Sequence, residues 1–245
     1  YISNNKCINK KTKKIIKAII IVHVFGHPAK ISEIIKIAKK YKIKVLEDAA
    51  ESLGSKYKGK HVGNFGDIGI LSFNGNKIVT TGSGGAILCN NRYLAKKARH
   101  LVTTSKLKHK WEFIHDDVGY NYRLANLNAA LGISQIKRVN KFIKKKHEIY
   151  KRFNKLIDNS KDLFLLNQPK SCRSNFWLQT LVLKKPSVHL RNKILTIFYK
   201  KKILARPIWK PLHKLSFLTK YQKMSLKNAE QIEKKIINIP SSCYL

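Results

Sequence analysis

Ala18 to Val24 (AIIIVHV) is an unbroken run of mostly β-branched residues, and no other feature narrows the possible folds as much. Bounded by Gly26, His27 and Pro28 as turn signals, it predicts a buried strand. Ile31, Ile34, Ile35 and Ala38 then recur at helical spacing, with Ser32 placed to start the helix. Ile43 to Leu46 (IKVL) predicts a second short strand running into Glu47 and Asp48. Strand, helix and strand in that order predict a parallel crossover, and hence an α/β fold.

Ile68 to Phe73 (IGILSF) and Ala86 to Cys89 (AILC) predict two further strands, separated by a polar, glycine-rich segment that contains Lys77. Arg92 to Leu101 reads as a helix. From Leu127 through Ala130, Leu131, Ile133, Ile136, Val139 and Ile143 to Ile149, the spacing predicts long helical structure with a break near Asn140. Beyond about residue 160, an apolar segment from Phe176 to Leu183 and helices near Leu190–Tyr199 and Leu226–Ile237 predict a smaller α+β unit. The expected domains are therefore residues 1–140 and 141–245.

With 245 residues, 43% of them hydrophobic, the chain is long enough to bury a substantial core. No apolar run approaches the roughly 20 residues of a membrane helix, and the lysine-rich first 15 residues lack a signal-peptide core, so a soluble cytoplasmic protein is expected. Cys7, Cys89, Cys172 and Cys243 lack metal-ligand spacing and are expected as reduced thiols. The chain starts at Tyr1 and its one methionine is Met224, so it reads as a fragment. The net charge of +38 raises nucleic-acid binding, but lysines occur in nearly every segment and only eight of the 51 basic residues are arginine. Dispersed, solvated lysines are the expected reading. By contrast, seven of the 13 acidic residues, Glu47, Asp48, Glu51, Asp67, Glu112, Asp116 and Asp117, fall between positions 47 and 117.

Lys77 lies in SFNGNKIVTTGSGG, directly after a strand of buried character. A lysine that forms a Schiff base must spend time as the neutral amine, which requires its pKa to fall through desolvation or nearby positive charge. Gly82, Gly84 and Gly85 can supply positive φ or let backbone approach a ligand, or simply make a turn. The segment fits neither a Walker loop nor a Rossmann fingerprint. Asp48 ends a strand where open α/β sheets present ligand groups, and an aspartate there either pairs with a pyridinium or caps a following helix. His23 and His27 have zinc-like spacing but no evident third ligand, so no metal site is expected.

The motifs HVFGHP, EDAAESLGSKYKGK, GNFGDIGILSFNGNKIVTTGSGG, WEFIHDDVGYNYRLANLNAALG and ARPIWKPLHKL resemble those of the DegT/StrS-type sugar aminotransferases, in the branch that aminates UDP-linked 4-keto-6-deoxy sugars for legionaminic acid and bacillosamine. That resemblance implies a fold-type I pyridoxal-phosphate-dependent transferase: a partial large domain with a parallel or mixed sheet, followed by a C-terminal α+β small domain. It implies that Lys77 holds pyridoxal 5′-phosphate as a Schiff base and shuttles a proton, and that Asp48 pairs with the pyridine nitrogen. Glu51 matches a position that contacts the phenolic oxygen, often glutamine or histidine in relatives. Ser72 matches a phosphate-binding serine, or is an ordinary strand-end serine. Asn121, in GYNYR, matches an asparagine that reaches the neighbouring subunit's phosphate, implying a homodimer with shared active sites. Arg206, Trp209, His213 and Trp111 fall in segments resembling the sugar-nucleotide side, where packing roles are the alternative.

The implied reaction is ping-pong amino transfer from glutamate to a nucleotide-linked 4-keto sugar. Sister dehydratases carry histidine where this chain has Lys77. Family members extend further at the amino-terminal side, where the Gly-Thr segment that holds the phosphate and a ring-stacking aromatic residue are found. A non-catalytic remnant and a basic nucleic-acid binder are the competing expectations, the latter requiring binding with a steep salt dependence.

Overall fold

The computed structural model of the chain describes residues 1–3 and 6–244. It divides into two compact units, Tyr1–Ile143 with Pro169–Trp177, and Lys144–Gln168 with Leu178–Leu245. The segment 169–177, which the sequence reading assigned to the second domain, thus belongs to the first unit.

In the first unit, β1 (Ala18–Val22), β2 (Lys44–Asp48), β3 (Ile68–Ser72) and β4 (Gly85–Leu88) form a sheet in that order. β1, β2 and β3 are parallel and β4 is antiparallel to β3, so the sheet is mixed. The crossover between β1 and β2 is helix α1 (Ile31–Lys40), as the apolar spacing requires. It starts with Lys30 at its cap, and Ser32 lies within the first turn. Ile31 and Ala38 of α1 are buried against Ile21, Ile43 and Val45. Full burial of an aliphatic side chain contributes roughly 1.5–3 kcal/mol, so this small cluster is enough to hold the helix on the sheet. Helices α2 (Arg92–Val102) and α3 (Asn126–Ile136) follow, with the Asn91 side chain accepting from the Leu94 N–H at 3.0 Å to cap α2.

Residues two apart on a strand share a face, so the register sorts the sheet into two sides. Ile21, Glu47 and Gly69 form one row, facing α1; Val22, Asp48, Ile70 and Ile87 form the next, facing away. The second face is apolar and open: Ile20 is 67% exposed and Ile87 49%. A cavity of about 750 Å³ lies along β3 and β4 and is lined by Ile70, Gly84, Ile87, Arg99, Arg123 and Asn128 among others.

Helix α4 (Val139–Ile157) carries the chain across the division between units; the helical break falls at Lys137 and Arg138, slightly before the expected Asn140. In the second unit, β5 (Leu163–Leu165), β6 (Gln179–Leu183), β7 (Arg206–Pro207) and β8 (Ile236–Ile239) form an antiparallel sheet in the order β7-β8-β6-β5. Its core joins Leu165, Leu181 and Ile237 to Tyr150, Phe153, Leu195 and Phe198, the last two on helix α5 (Val188–Lys200). Two expectations change here. Helix α6 is only Lys227–Glu233, and Ile236 and Ile237, expected to end it, instead open the strand Ile236–Ile239 between β6 and β7. Ile236, Ile237 and Asn238 are buried in succession, which a strand covered on both faces permits and a one-sided helix does not. Likewise the apolar segment from Phe176 to Leu183 is a strand only from Gln179; Phe176 has φ 47°, outside extended backbone.

Among the described residues no helix is long and apolar enough to cross a membrane, and Cys7, Cys89, Cys172 and Cys243 are unpaired thiols.

His27 shows the cost of burying an ionisable ring. It meets Phe176 edge-on at 5.4 Å, and neither buried ring nitrogen has a hydrogen-bond partner among the described residues. Burial lowers its pKa from 6.5 to about 4. The folded state therefore refuses a proton that the unfolded chain takes up below pH 6.5, so stability should fall as pH drops from about 6.5 to 4. The difference of 6.5 − 4, about 2.5, corresponds to about 3 kcal/mol. Urea titrations at pH 7 and pH 4 should show that His27→Leu removes most of this acid sensitivity; an unchanged pH dependence would contradict it.

Candidate active site

Carboxylates at the end of β2 do different work according to the face they occupy. Glu47, facing α1, is fully buried, and its oxygens accept from the backbone N–H groups of Gly63 (2.8 Å), Phe65 (2.5 Å) and Gly66 (2.6 Å). His23 completes the set. Its Nδ1 accepts from the Ala29 N–H at 3.0 Å, so Nε2 carries the proton and donates to Glu47 at 3.1 Å. Burial alone would raise the Glu47 pKa, but the hydrogen bonds from His23, Gly66, Gly63 and Phe65 outweigh it and hold the carboxyl below its ordinary value. Among the described residues no group of three or more His, Cys, Asp or Glu is arranged for a metal ion.

Asp48, next in sequence, points to the open face of the sheet. Its Oδ1 accepts from the Ala50 N–H at 3.1 Å, which makes an Asx turn. Since no α-helix follows at Ala49, the helix-cap alternative falls away. The turn carries Glu51, whose Oε2 accepts from the Phe25 N–H at 2.7 Å and whose Oε1 lies 3.9 Å from Lys77 Nζ. Both side chains are largely buried, at 15% and 14% exposure. Burial raises the Glu51 pKa, with Asp48 adding to the rise and Phe25 and Lys77 opposing it; burial lowers that of Lys77, with Glu51 and Asp48 opposing. The two groups are therefore shifted towards a neutral acid and a neutral amine.

The Lys77 loop leaves β3 and returns to β4 under close backbone control. Phe73 N–H donates to Gly84 O and Thr81 N–H to Phe73 O, each at 2.9 Å, while Lys77 N–H donates to Asn74 O at 3.0 Å. Gly82 and Gly84, with φ 82° and 101°, take the positive-φ conformations that their sequence context suggests. Ser72, where the loop leaves β3, accepts from the Asn74 N–H at 3.3 Å, leaving its own O–H to donate. Lys77, Glu51 and Asp48 are thus brought together, with Ser72 on the adjoining strand.

The remaining sequence candidates make other contacts. Asn121 is exposed and forms an isolated bridge with Thr103. Trp111 is 72% exposed and packs edge-on against His109. Arg206 lies on β7 opposite Asn238, and His213 pairs with Glu230 at 2.8 Å, both in the second unit. Sequence reasoning passed over the segment Ser174–Trp177. The Trp177 ring lies 4.0 Å from Lys77 Nζ, and its indole N–H donates to Asn76 O at 2.7 Å. Its only sequence signal was aromatic content, which a core strand would share. The 750 Å³ cavity is lined by none of Lys77, Asp48 or Glu51.

Residues 3–245 match the family model described as the DegT/DnrJ/EryC1/StrS aminotransferase family. The chain belongs to that family. It is 35% identical over 235 residues to a GDP-perosamine synthase of Escherichia coli O157:H7, an alignment covering 96% of this chain and 63% of the relative. It is 37% identical over 204 residues to EpsN of Bacillus subtilis, provisionally named a pyridoxal phosphate-dependent aminotransferase, covering 83% of this chain and 52% of the relative. The structure superposes with a TM-score of 0.90, at 27% identity, on PseC of Helicobacter pylori, an aminotransferase involved in the biosynthesis of pseudoaminic acid. That match covers 97% of this chain and 64% of PseC. The chain therefore spans less than two thirds of the length of these relatives.

As a DegT/DnrJ/EryC1/StrS aminotransferase, the chain has the fold-type I architecture, with a partial large domain and an α+β small domain, in a family whose cofactor is pyridoxal 5′-phosphate. The residues present fit that cofactor by their chemistry. They offer a partly buried lysine whose pKa is lowered by desolvation, a carboxylate ending a central parallel strand, and a serine hydroxyl with a free donor.

Proposed function

We propose that the protein carrying this chain transfers an amino group to a nucleotide-linked 4-keto-6-deoxy sugar, with glutamate as donor and pyridoxal 5′-phosphate held on Lys77. The carrying observation is Lys77 itself, with its side chain largely buried, its pKa lowered by burial and Glu51 3.9 Å from Nζ. Bound pyridoxal 5′-phosphate supplies the electron sink for moving protons at the carbon that carries the transferred nitrogen. Lys77 is the group that moves those protons, and its lowered pKa keeps the neutral amine accessible. Asp48 holds the proton of the pyridine nitrogen, Ser72 donates to the phosphate, and Glu51, shifted towards its protonated form, can donate to the phenolic oxygen.

Asn121 is exposed, as a side chain reaching a neighbouring subunit's site must be, which supports a homodimer with shared sites. Trp111, Arg206 and His213 are the proposed contacts on the sugar-nucleotide side, and the cytoplasm is the proposed compartment. Relatives named for GDP-perosamine and for pseudoaminic acid biosynthesis support an amino sugar product. The legionaminic acid and bacillosamine branch is the finer reading, carried by the motifs of the sequence. Incubating the full-length protein with ¹⁵N-glutamate and UDP- or GDP-linked 4-keto-6-deoxy sugars should give a ¹⁵N-labelled 4-amino sugar nucleotide by NMR. Release of labelled ammonia without sugar amination would contradict the reading.

A further inference from the structure

We propose that Trp177 is a positioning residue for Lys77, its indole face holding the side-chain nitrogen in place and its indole N–H fixing the backbone immediately before it. The functional weight of this proposal rests on Lys77 being the cofactor-bearing residue; its geometry does not. A lysine side chain has four rotatable bonds, so something must choose where Nζ lies if it is to act at one carbon. Glu51 is the obvious holder, yet its 3.9 Å separation is beyond hydrogen-bond range. The Trp177 ring is placed better. Nζ lies 4.0 Å from its centroid, well inside the roughly 6 Å over which an aromatic face attracts an ammonium. The indole N–H meanwhile donates to Asn76 O at 2.7 Å, so both ends of the Lys77 residue are referred to one ring.

That ring is itself immobilised. Trp177 is 3% exposed, and its backbone N–H donates to Asn175 Oδ1 at 2.8 Å. Asn175 Nδ2 donates to Glu51 O and Leu53 O, both at 2.9 Å, tying the segment to the turn that carries Glu51. Ser174 Oγ and Ser55 Oγ both donate to Gly26 O, at 2.8 and 2.7 Å. Gly26 has φ 90°, and a Cβ there would lie 1.8 Å from Asn175 Oδ1, so only glycine lets the two turns approach. Residues about a hundred positions downstream of Lys77 are thus tied to the turns at Gly26 and Glu51 through buried polar side chains, and to the Lys77 loop through the Trp177 indole.

An aromatic face favours the ammonium over the neutral amine, so weakening the face should lower the Lys77 pKa while burial and the facing charges of Glu51 and Asp48 stay the same. The test uses full-length protein freed of cofactor, in which tryptophan is replaced by mono-, di- and tetrafluorotryptophan, which empties the ring of π-density and keeps its shape. Trace acetylation across pH, read on the Lys77 peptide by mass spectrometry, gives the titration of that amine. The expected result is a stepwise fall totalling about half a unit to one unit from tryptophan to the tetrafluoro form. A flat or rising series overturns the proposal. Trp177→Leu should lower the titration at least as far, and Trp177→Phe less; a folded Leu variant that titrates like the parent overturns it too. If the Leu variant does not fold, the fluorinated series decides alone. Since no cofactor enters the readout, failure here leaves the assignment of Lys77 standing, and failure of that assignment appears separately as absence of covalent cofactor.

Discussion

Replacing Lys77 by arginine in the full-length protein should lower amino transfer at least about 10³-fold, because one residue is asked to supply both covalent attachment and proton transfer. Arginine keeps the positive charge beside Glu51 and Asp48, so the electrostatics of the pocket survive. What it cannot keep is the neutral, nucleophilic nitrogen, since guanidinium stays protonated. The effect should appear in kcat, with the circular dichroism spectrum unchanged. A loss of less than about tenfold would mean that Lys77 neither carries the cofactor nor moves the proton.

A second large effect is expected on the opposite face of the sheet, where Glu47 is buried. Glu47→Ala should destabilise the protein by about 3–5 kcal/mol, the range for removing one partner of a buried, hydrogen-bonded ionic group. The change would strand three backbone N–H groups, those of Gly63, Phe65 and Gly66, together with the buried His23 ring. Glu47→Gln should cost less, because one oxygen still accepts while the new amide faces donors. The pH dependence has a definite sign. A carboxyl whose folded pKa is depressed stabilises above its unfolded value, and that stabilisation is lost as pH falls through the folded pKa. Urea denaturation followed by circular dichroism measures all of this; a loss below about 1 kcal/mol for Glu47→Ala would refute the buried-hub account.

The crossover from β1 through α1 to β2 was legible because period and burial agree: the same isoleucines that repeat at helical spacing pack on Ile21 and Val45. Lys77, Asp48 and Glu51 were legible because each sits in a dense motif, and the fold brings them to one place. What escaped was non-periodic. Glu47 read as one more strand-end carboxylate, since the sequence does not say which face it takes until the register places it opposite Ile21 and Gly69. Ile236 and Ile237 read as the end of a helix because a short apolar run satisfies either period. Phe176 and Trp177 read only as part of an apolar segment, and the return of Ser174–Trp177 to the first unit depends on Asn175 bonding to Glu51 O and Leu53 O, more than 120 residues away in sequence. Long-range pairing of a polar side chain with turn carbonyls leaves no pattern that periodicity can detect.

The central claim is that Lys77 is the residue to which the cofactor is attached. Full-length protein given pyridoxal 5′-phosphate, reduced with borohydride, digested and mapped by mass spectrometry should carry the reduced cofactor on the peptide containing Lys77, and Lys77→Arg should abolish that label. Label spread over the many exposed lysines, with the Lys77 peptide unmodified, would contradict it.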